Sequence, residues 1–526
     1  MSVATQKTGR GLSDQFKSNI LKIALFATGL AGIVAEYVLS TLATYFLGDS
    51  VFQWTMIVSI MLFSMGLGSR LSKLFEKDLL QKFIYVEFTL SILSAFAALV
   101  AYTAAAYTMY TGLIIYSFSI LIGLLIGLEI PLVIRLNQNF EELKINVSSV
   151  MEKDYYGSLL GGVFFAFVGL PYLGLTYTPF LLGIINFLVA IFLLIILWEA
   201  IEVHKRKSLI ATATGVALVL LSGLLLAKPV ILYGEQRRYK DKIIYEEQSR
   251  YQRIVLTQWK NEYWLYLNGN QQLSTLDEEM YHEPLVHPAM NLLPQVKDVL
   301  VLGGGDGCAV REILKYPEVA QIHLVDLDPS MTRLGKEHPV LLELNEGALN
   351  DPKVEIINQD AYTFLEQTKK YYDVVIIDLP DPKTVELGRL YSQEFYTLLS
   401  RQMRPNAVVI TQAGSPYYAT KAFQCIEITM QAAGFQTQPL HNQVLTMGEW
   451  GWVIGTKSET LLPLKAKLRD QTFEHVETQW LNHEAMQLIT SFGKDFFMPS
   501  SEEVRINTIH DPVLYRYYLD GNWDIY

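Results

Sequence analysis

Val299-Leu300-Val301-Leu302-Gly303-Gly304-Gly305-Asp306-Gly307 runs from an apolar strand straight into a glycine-rich turn, and this stretch decides the fold of the second half of the chain. Consecutive Val and Leu residues suit a strand covered on both faces. A helix follows over Val310 to Lys315, then a second strand, Ile322 to Val325, ending in Asp326. The pattern repeats, with Val354 to Ile357 ending near Asp360 and Asp373 to Ile377 ending at Asp378. Ala407 to Thr411 and Trp452 to Ile454 are further strands. Apolar strands alternating with helices predict a parallel, doubly wound α/β sheet.

Upstream, from Tyr233, the chain is polar with short alternating runs. Arg253 to Thr257 and Tyr263 to Leu267 read as strands joined by the turn Trp259 to Glu262, and Asn268-Gly269 is another turn signal. A small β-rich cap is expected over 233–293, the α/β domain over 294–460, and a folded, aromatic-rich extension over 461–526.

The first 230 positions are apolar. Seven runs, roughly 19–47, 51–70, 83–107, 111–134, 155–176, 179–198 and 208–230, approach the about 20 residues that a bilayer core requires. They predict an all-α transmembrane bundle of about seven spans over 19–230, behind a basic tail over 1–18, with the lipid of the cell (inner) membrane as its partner. Lys7, Arg10 and Lys17 precede the first run. Arg70, Lys73, Lys77 and Lys82 lie between the second and third, Arg135, Lys144 and Lys153 follow the fourth, and Lys205, Arg206 and Lys207 follow the sixth. The opposite loops carry almost no charge, which places the N-terminus in the cytoplasm. Seven spans from there leave the C-terminal half outside, yet Arg237, Arg238, Lys240 and Lys242 read as inside. The glycine-rich run 155–176, with Pro171, is a candidate re-entrant segment. Gly66-Leu67-Gly68-Ser69 and Gly157 to Gly162 suit close helix packing. Glu36, Glu87, Glu129 and Asp154 lie in or beside the apolar runs, Glu36 and Glu129 deepest. A charge there is costly, and it reads equally as a bonded structural carboxylate or as a functional group.

The whole chain of 526 residues carries a formal net charge of −11, which argues against a nucleic-acid partner. Cys308 and Cys425 stand in no metal-ligand spacing, against a zinc site.

In a doubly wound sheet, ligands bind at the carboxyl ends of the strands. Asp306, Asp326, Asp360, Asp378 and Gln412 all fall there. A glycine-rich turn alone is a weak signal. Asp326, about 20 residues beyond it, has the position of a ribose-binding carboxylate, and Asp360 could meet an adenine edge, so the ligand reads as an adenosine. Asp306 inside the turn would repel a phosphate and suits a cationic group. Asp378-Leu379-Pro380-Asp381-Pro382 sets two more carboxylates at the mouth of the fourth strand. Taken alone it could be a turn with capping aspartates. Beside Asp306 it makes a negatively lined cleft, fit for a sulfonium and an amine.

At these residues the chain resembles the aminopropyltransferase family of spermidine, spermine and thermospermine synthases. The resemblance covers roughly 245–456 and is carried by Tyr251-Gln252, Leu267 to Gln272 with Asp277-Glu278, Tyr281-His282-Glu283 with His287-Pro288, Gly303 to Gly307, Arg311-Glu312, Asp378 with Asp381-Pro382, and Leu390-Tyr391-Ser392 with Glu394-Phe395-Tyr396. The membrane half resembles the multi-span extension of some bacterial members.

The resemblance implies a Rossmann-like, methyltransferase-type domain that transfers an aminopropyl group from decarboxylated S-adenosylmethionine, as cosubstrate, to putrescine, giving spermidine and 5′-methylthioadenosine. No metal or further cofactor is implied, and a homodimer is. Asp378 would be the general base with Tyr281 beside it. Gln252, Gln272, His282 and Asp306 would bind the donor, Asp326 its ribose, and Asp360 with Ala361 its adenine. Asp381 and Gln412 would serve the acceptor. The cytosolic cosubstrate implies a cytoplasmic catalytic half.

Cys308 stands where a glycine is usual, Asp326 replaces a Glu, Asn268 an Asp, and Leu379-Pro380 small polar residues. Leu445 to Trp452 lacks the tyrosine of typical spermidine synthases, and Gly451-Trp452-Val453 looks like thermospermine synthases. Alternatives are therefore transfer to a longer amine such as spermidine, or a polyamine sensor or transporter. A methyltransferase shares the fold, but the pair Asp378 and Asp381 speaks against it.

Overall fold

A computed structural model describes residues 14–48, 50–108, 110–138, 140–493 and 504–523. Lys7 and Arg10 of the basic tail, and residues 494–503 and 524–526 of the extension, lie outside the described residues. The chain divides into two compact units, Met1–Lys240 and Asp241–Tyr526.

The first unit is helical: α1 (Asp14–Leu47), α2 (Ser50–Leu71), α3 (Leu79–Tyr107), α4 (Thr111–Asn137), α5 (Leu143–Phe164), α6 (Gly174–Ile196) and α7 (Val203–Arg238). Among the described residues, six helical stretches are long and apolar enough to cross a membrane. The runs 155–176 and 179–198, expected as two of the seven spans, fall in one continuous helical stretch, Leu143–Ile196, and form its two arms. A π-helical stretch, Phe165–Leu173, joins its arms and carries Pro171. Proline lacks the N–H that an α-helical turn requires, and its ring crowds the preceding turn, so an irregular, wider turn is at home there.

The path still doubles back. Gly174, at φ +60° and ψ −171°, leaves the helical region. The first arm follows α1 in the same direction, with Gly157 on Phe26 and Gly161 on Leu30. The second arm runs against α3, with Phe180 beside Phe96 and Phe187 beside Phe88. Helix α7 follows α3 in the same direction, Ser208 bonding Tyr85 and Tyr233 bonding Tyr107. Tyr45 and Tyr102 meet near the C-terminal ends of α1 and α3. The basic loops gather at the other end, where Lys22 pairs with Glu141 at 2.8 Å and Lys205 pairs with Asp78. The chain therefore leaves the bundle at the end opposite to its start.

Of the carboxylates in the apolar runs, Glu87 and Glu129 are the most enclosed, more so than Glu36. Glu87 and Glu129 lie against each other, with Thr28 beside Glu129.

The second unit opens with a four-stranded antiparallel cap, β1 (Lys242–Gln248), β2 (Arg253–Trp259), β3 (Glu262–Leu267) and β4 (Asn270–Ser274), paired in sequence order. It begins at Lys242 rather than at 233 because α7 continues through Tyr233. Helix α8 (Glu279–Met290) leads into a sheet of β5 (Asp298–Gly303), β6 (Gln321–Asp326), β7 (Val354–Asn358), β8 (Tyr372–Asp378), β9 (Met403–Gly414), β10 (Gln436–Val444) and β11 (Gly448–Thr456). The strand order is β10-β11-β9-β8-β5-β6-β7. Strands β5 to β9 are parallel, as expected, but β11 is antiparallel to both β9 and β10. The short link Leu445 to Met447 makes a hairpin, since a parallel pairing needs a crossover of a dozen or more residues. Strand β5 lies between β6 and β8, the point where the winding reverses and a ligand crevice opens.

The extension is folded onto this core. Leu468, Met486 and Ile489 join the cluster that includes Leu285 of α8, while Leu514 and Tyr518 join the cluster on the other face of the sheet.

Candidate active site

The glycine-rich turn brings three strand-end carboxylates together. Gly303 has φ +83°, and a Cβ there would lie 2.0 Å from the Asp378 carbonyl oxygen, so only glycine lets β5 close on β8. A Cβ on Gly305 would lie 2.7 Å from Asp326 Oδ2. Asp306 Oδ1 accepts from the backbone N–H of Cys308 at 2.8 Å, and Asp326 Oδ1 from that of Asp328 at 2.8 Å. Burial, helped by the charges of Asp328 and Asp306, pushes the Asp326 carboxyl up to about 7.

Helix α8 supplies the two groups facing these acids. Tyr281 donates its hydroxyl to Asp378 Oδ1 at 2.7 Å, and its ring sits 5.4 Å from that of Trp452 on β11. His282 Nδ1 is 2.6 Å from Glu278 Oε2, and Nε2 is 3.9 Å from Asp306 Oδ1. Glu278 also takes Arg311 at 2.6 Å, and Arg311 reaches Glu312 at 2.8 Å, which in turn holds His287 at 2.7 Å. This buried chain fixes a charge. Burial alone would lower the His282 pKa, but Glu278, with Asp306 and Asp378, raises it to about 9, so the ring is an imidazolium at neutral pH. Asp378 is raised to about 6, by burial first and then by Asp306, while His282 and Tyr281 hold it down. Burial and Asp378 hold the Tyr281 phenol well above its ordinary value.

Nitrogen and oxygen atoms of His282, Asp306 and Asp378 lie within 4.8 Å of one another, close enough to ligate an ion. The imidazolium opposes a metal there, since a protonated ring offers no lone pair. An organic ammonium, which donates hydrogen bonds to both aspartates, suits the set better.

Past Asp378 the loop is braced from below. Gln412 on β9 donates to the Leu379 carbonyl at 2.7 Å and lies 2.6 Å from the Tyr391 hydroxyl, while its Oε1 accepts from Gly414 N–H. Tyr391 donates toward the Leu379 carbonyl at 3.0 Å. Gln412 thus braces the loop that leads from Asp378 to Asp381. Asp381 accepts from Tyr518 at 2.7 Å.

Other expected site residues stand apart from this cluster. Asp360, after β7, caps a short helix through Thr363 and takes Arg389 at 2.5 Å, with buried Ala361 beside it. Gln272 on β4 donates within its own hairpin, and Gln252 stands just before β2. The contacts of Glu278 with His282 and of Tyr518 with Asp381 escape sequence reasoning. Only the first left a signal, the helical i, i+4 spacing of Glu278 and His282.

A family profile described as the Spermine/spermidine synthase domain matches residues 278–466. The chain is 43% identical over 504 residues to polyamine aminopropyltransferase 2 of Aquifex aeolicus (strain VF5), covering 95% of this chain and 98% of that protein. It is 38% identical to polyamine aminopropyltransferase of Oceanobacillus iheyensis, covering 96% and 98%. A crystal structure of spermidine synthase in complex with the transition-state analogue AdoDATO aligns with 48% of this chain and 86% of its own, at 27% identity and a TM-score of 0.44.

Proposed function

This chain belongs to the polyamine aminopropyltransferase family, and from that premise we propose that it transfers the aminopropyl group of decarboxylated S-adenosylmethionine to putrescine, yielding spermidine and 5′-methylthioadenosine. The observation that carries this reading is the 2.7 Å hydrogen bond from Tyr281 to Asp378, set beside Asp306 and the imidazolium of His282.

In the proposed arrangement Asp306 accepts the ammonium of the donor, Asp326 its ribose hydroxyls, and Asp360 with Ala361 the adenine, with Gln252, Gln272 and His282 along the donor's length. Asp381 anchors the far ammonium of the acceptor. An ammonium has no lone pair, so the near amine must lose a proton before it attacks. Asp378 takes that proton, and Tyr281 keeps the carboxylate oriented. The nitrogen pair bonds to the methylene attached to sulfur. The carbon–sulfur bond breaks, and its electrons stay on sulfur, which turns from sulfonium to thioether. Charge balances in this direct displacement, which calls on neither a covalent enzyme intermediate nor a metal. The Tyr518 hydroxyl bonded to Asp381 Oδ2 supports an acceptor whose far ammonium ends at Asp381, as that of a short diamine would.

Full-length protein in detergent, given the donor with putrescine, spermidine, agmatine or no amine, tests the proposal by mass spectrometry of 5′-methylthioadenosine. Putrescine-dependent product is expected, and Asp378→Asn should reduce kcat by about 10²-fold or more while keeping donor binding. Undiminished turnover in Asp378→Asn would overturn the base assignment. A preference for spermidine would replace putrescine by a longer acceptor.

A further inference from the structure

Two residues outside the strand-end cluster stand against Asp381. Tyr518 sits on the short helix Leu514–Leu519 of the extension, beyond the residues matched by the family profile. Its ring packs against Trp523 with centroids 4.6 Å apart, and Trp523 Nε1 donates to the Tyr518 carbonyl at 2.7 Å. Asn507 ties the extension to the loop following Asp381, donating to the carbonyls of Gly388 at 2.8 Å and Tyr391 at 3.2 Å. The Tyr518 hydroxyl is thereby held on Asp381 Oδ2.

Lys383 enters the same corner. Its Nζ lies 3.6 Å from Asp381 Oδ2 and 5.6 Å from the centre of the Tyr518 ring, and it donates to Asn270 Oδ1 on β4 at 2.8 Å. A carboxylate, an aromatic face and an amide oxygen are the groups that recognise an alkylammonium. A lysine side chain is itself an ammonium on four methylenes, the chemistry of one end of a diamine.

We propose that Lys383 is an internal competitor for the acceptor. Its ammonium holds the place beside Asp381 and Tyr518 that the far ammonium of a diamine takes, and acceptor binding displaces it. This rests on the reading of Asp381 as the acceptor's anchor. The tether keeps the competitor at high local concentration. Lys383 is about one-third exposed, so its grip is that of a partly solvated ion pair. Removing it should lower the acceptor KM by roughly two- to fivefold. Because the extension supplies Tyr518 and the bracing Asn507, it also gains a role, as the outer wall of the acceptor pocket.

The test uses full-length protein with putrescine and with butylamine, which has the same carbon chain but no second ammonium. Acceptor KM, donor KM and kcat are measured for the parent, Lys383→Met, Asp381→Asn and the double variant, with the inhibition constant against putrescine serving for butylamine. Lys383→Met is expected to lower the putrescine KM with kcat and donor KM unchanged, to leave butylamine unaffected, and to have no effect once Asp381→Asn is present. An unchanged or raised putrescine KM in Lys383→Met, with Asp381→Asn still raising it, would sink the competitor and leave the anchor standing. An unchanged putrescine KM in Asp381→Asn would remove the anchor and the competitor together. An equal gain for butylamine would make Lys383 a general obstruction and overturn the proposal.

Discussion

Glu278→Gln keeps the shape of the buried network but removes the charge that holds His282 protonated. The difference between about 9 in the folded protein and the ordinary 6.5 is worth roughly 3 kcal/mol, shared by the pair. His282 is almost fully buried, so solvent screening takes little from this. A histidine with a raised folded pKa stabilises fully below its unfolded value and loses that contribution as pH rises through the folded one. The loss of thermal stability in Glu278→Gln should therefore be largest near pH 6 and shrink toward pH 9. The site should respond as well. His282 and Asp378 lie within 4.8 Å. At an effective dielectric of about 20, opposite charges at that separation attract by about 3 kcal/mol before solvent and relaxation reduce it. Without the imidazolium, Asp378 rises from about 6 by one to two pH units' worth of that attraction, and the acid limb of kcat/KM moves up with it. At pH 7 a base titrating near 6 is about 90% ionised, and one titrating near 8 about 10%, so kcat/KM at pH 7 should fall about tenfold and recover at pH 9. The assay is the pH profile of 5′-methylthioadenosine formation, with the His282 ring followed by NMR. An acid limb that does not move, or an equal loss at pH 7 and pH 9, would refute the charge-holding role and leave Glu278 a structural partner of Arg311.

Two further outcomes concern the membrane unit. Gly157→Leu should abolish the fit of α5 on α1, because even a Cβ at residue 157 would lie 2.0 Å from the Phe26 carbonyl oxygen; overpacking of this kind costs about 1–3 kcal/mol or more, and a melting temperature in detergent equal to the parent's would contradict the close approach. We propose that the chain after α7 lies in the cytoplasm, where the proposed donor would be found, against the doubled-back path and the basic loops at the far end of the bundle, which favour the opposite side. A reporter that is active only outside the cytoplasm, fused after residue 240, should stay inactive, and an active fusion would move the catalytic unit across the membrane.

The strand-end acids are legible in the sequence because each closes an apolar run, and a doubly wound sheet necessarily delivers the ends of β5, β6 and β8 to one edge. Hydropathy found the apolar helical unit for a similar reason but lost a boundary, since a π-helical stretch of Phe, Val, Leu and Pro is as apolar as the arms it joins. The direction of β11 could have been read from the shortness of the link before it. The rest of the site is long-range. Tyr518 meets Asp381 across 137 positions, and Lys383 meets Asn270 across 113. Patterns of period 2 and 3.6 report only on one element at a time, so no window holds both partners.

The charge state of His282 is hidden for a different reason. Glu278 and His282 are spaced to pair on any helix, but on an exposed one the pair would barely shift the ring from its ordinary value. Here both side chains are only 3% exposed, and Arg311 anchors the carboxylate from the other side. With water gone, Glu278 wins over the cost of burying a cation, and the imidazolium stands beside Asp306 and Asp378. A fixed positive charge at that point keeps Asp378 from being pushed further up by Asp306, and so favours its carboxylate at neutral pH, the form that the proposed base requires.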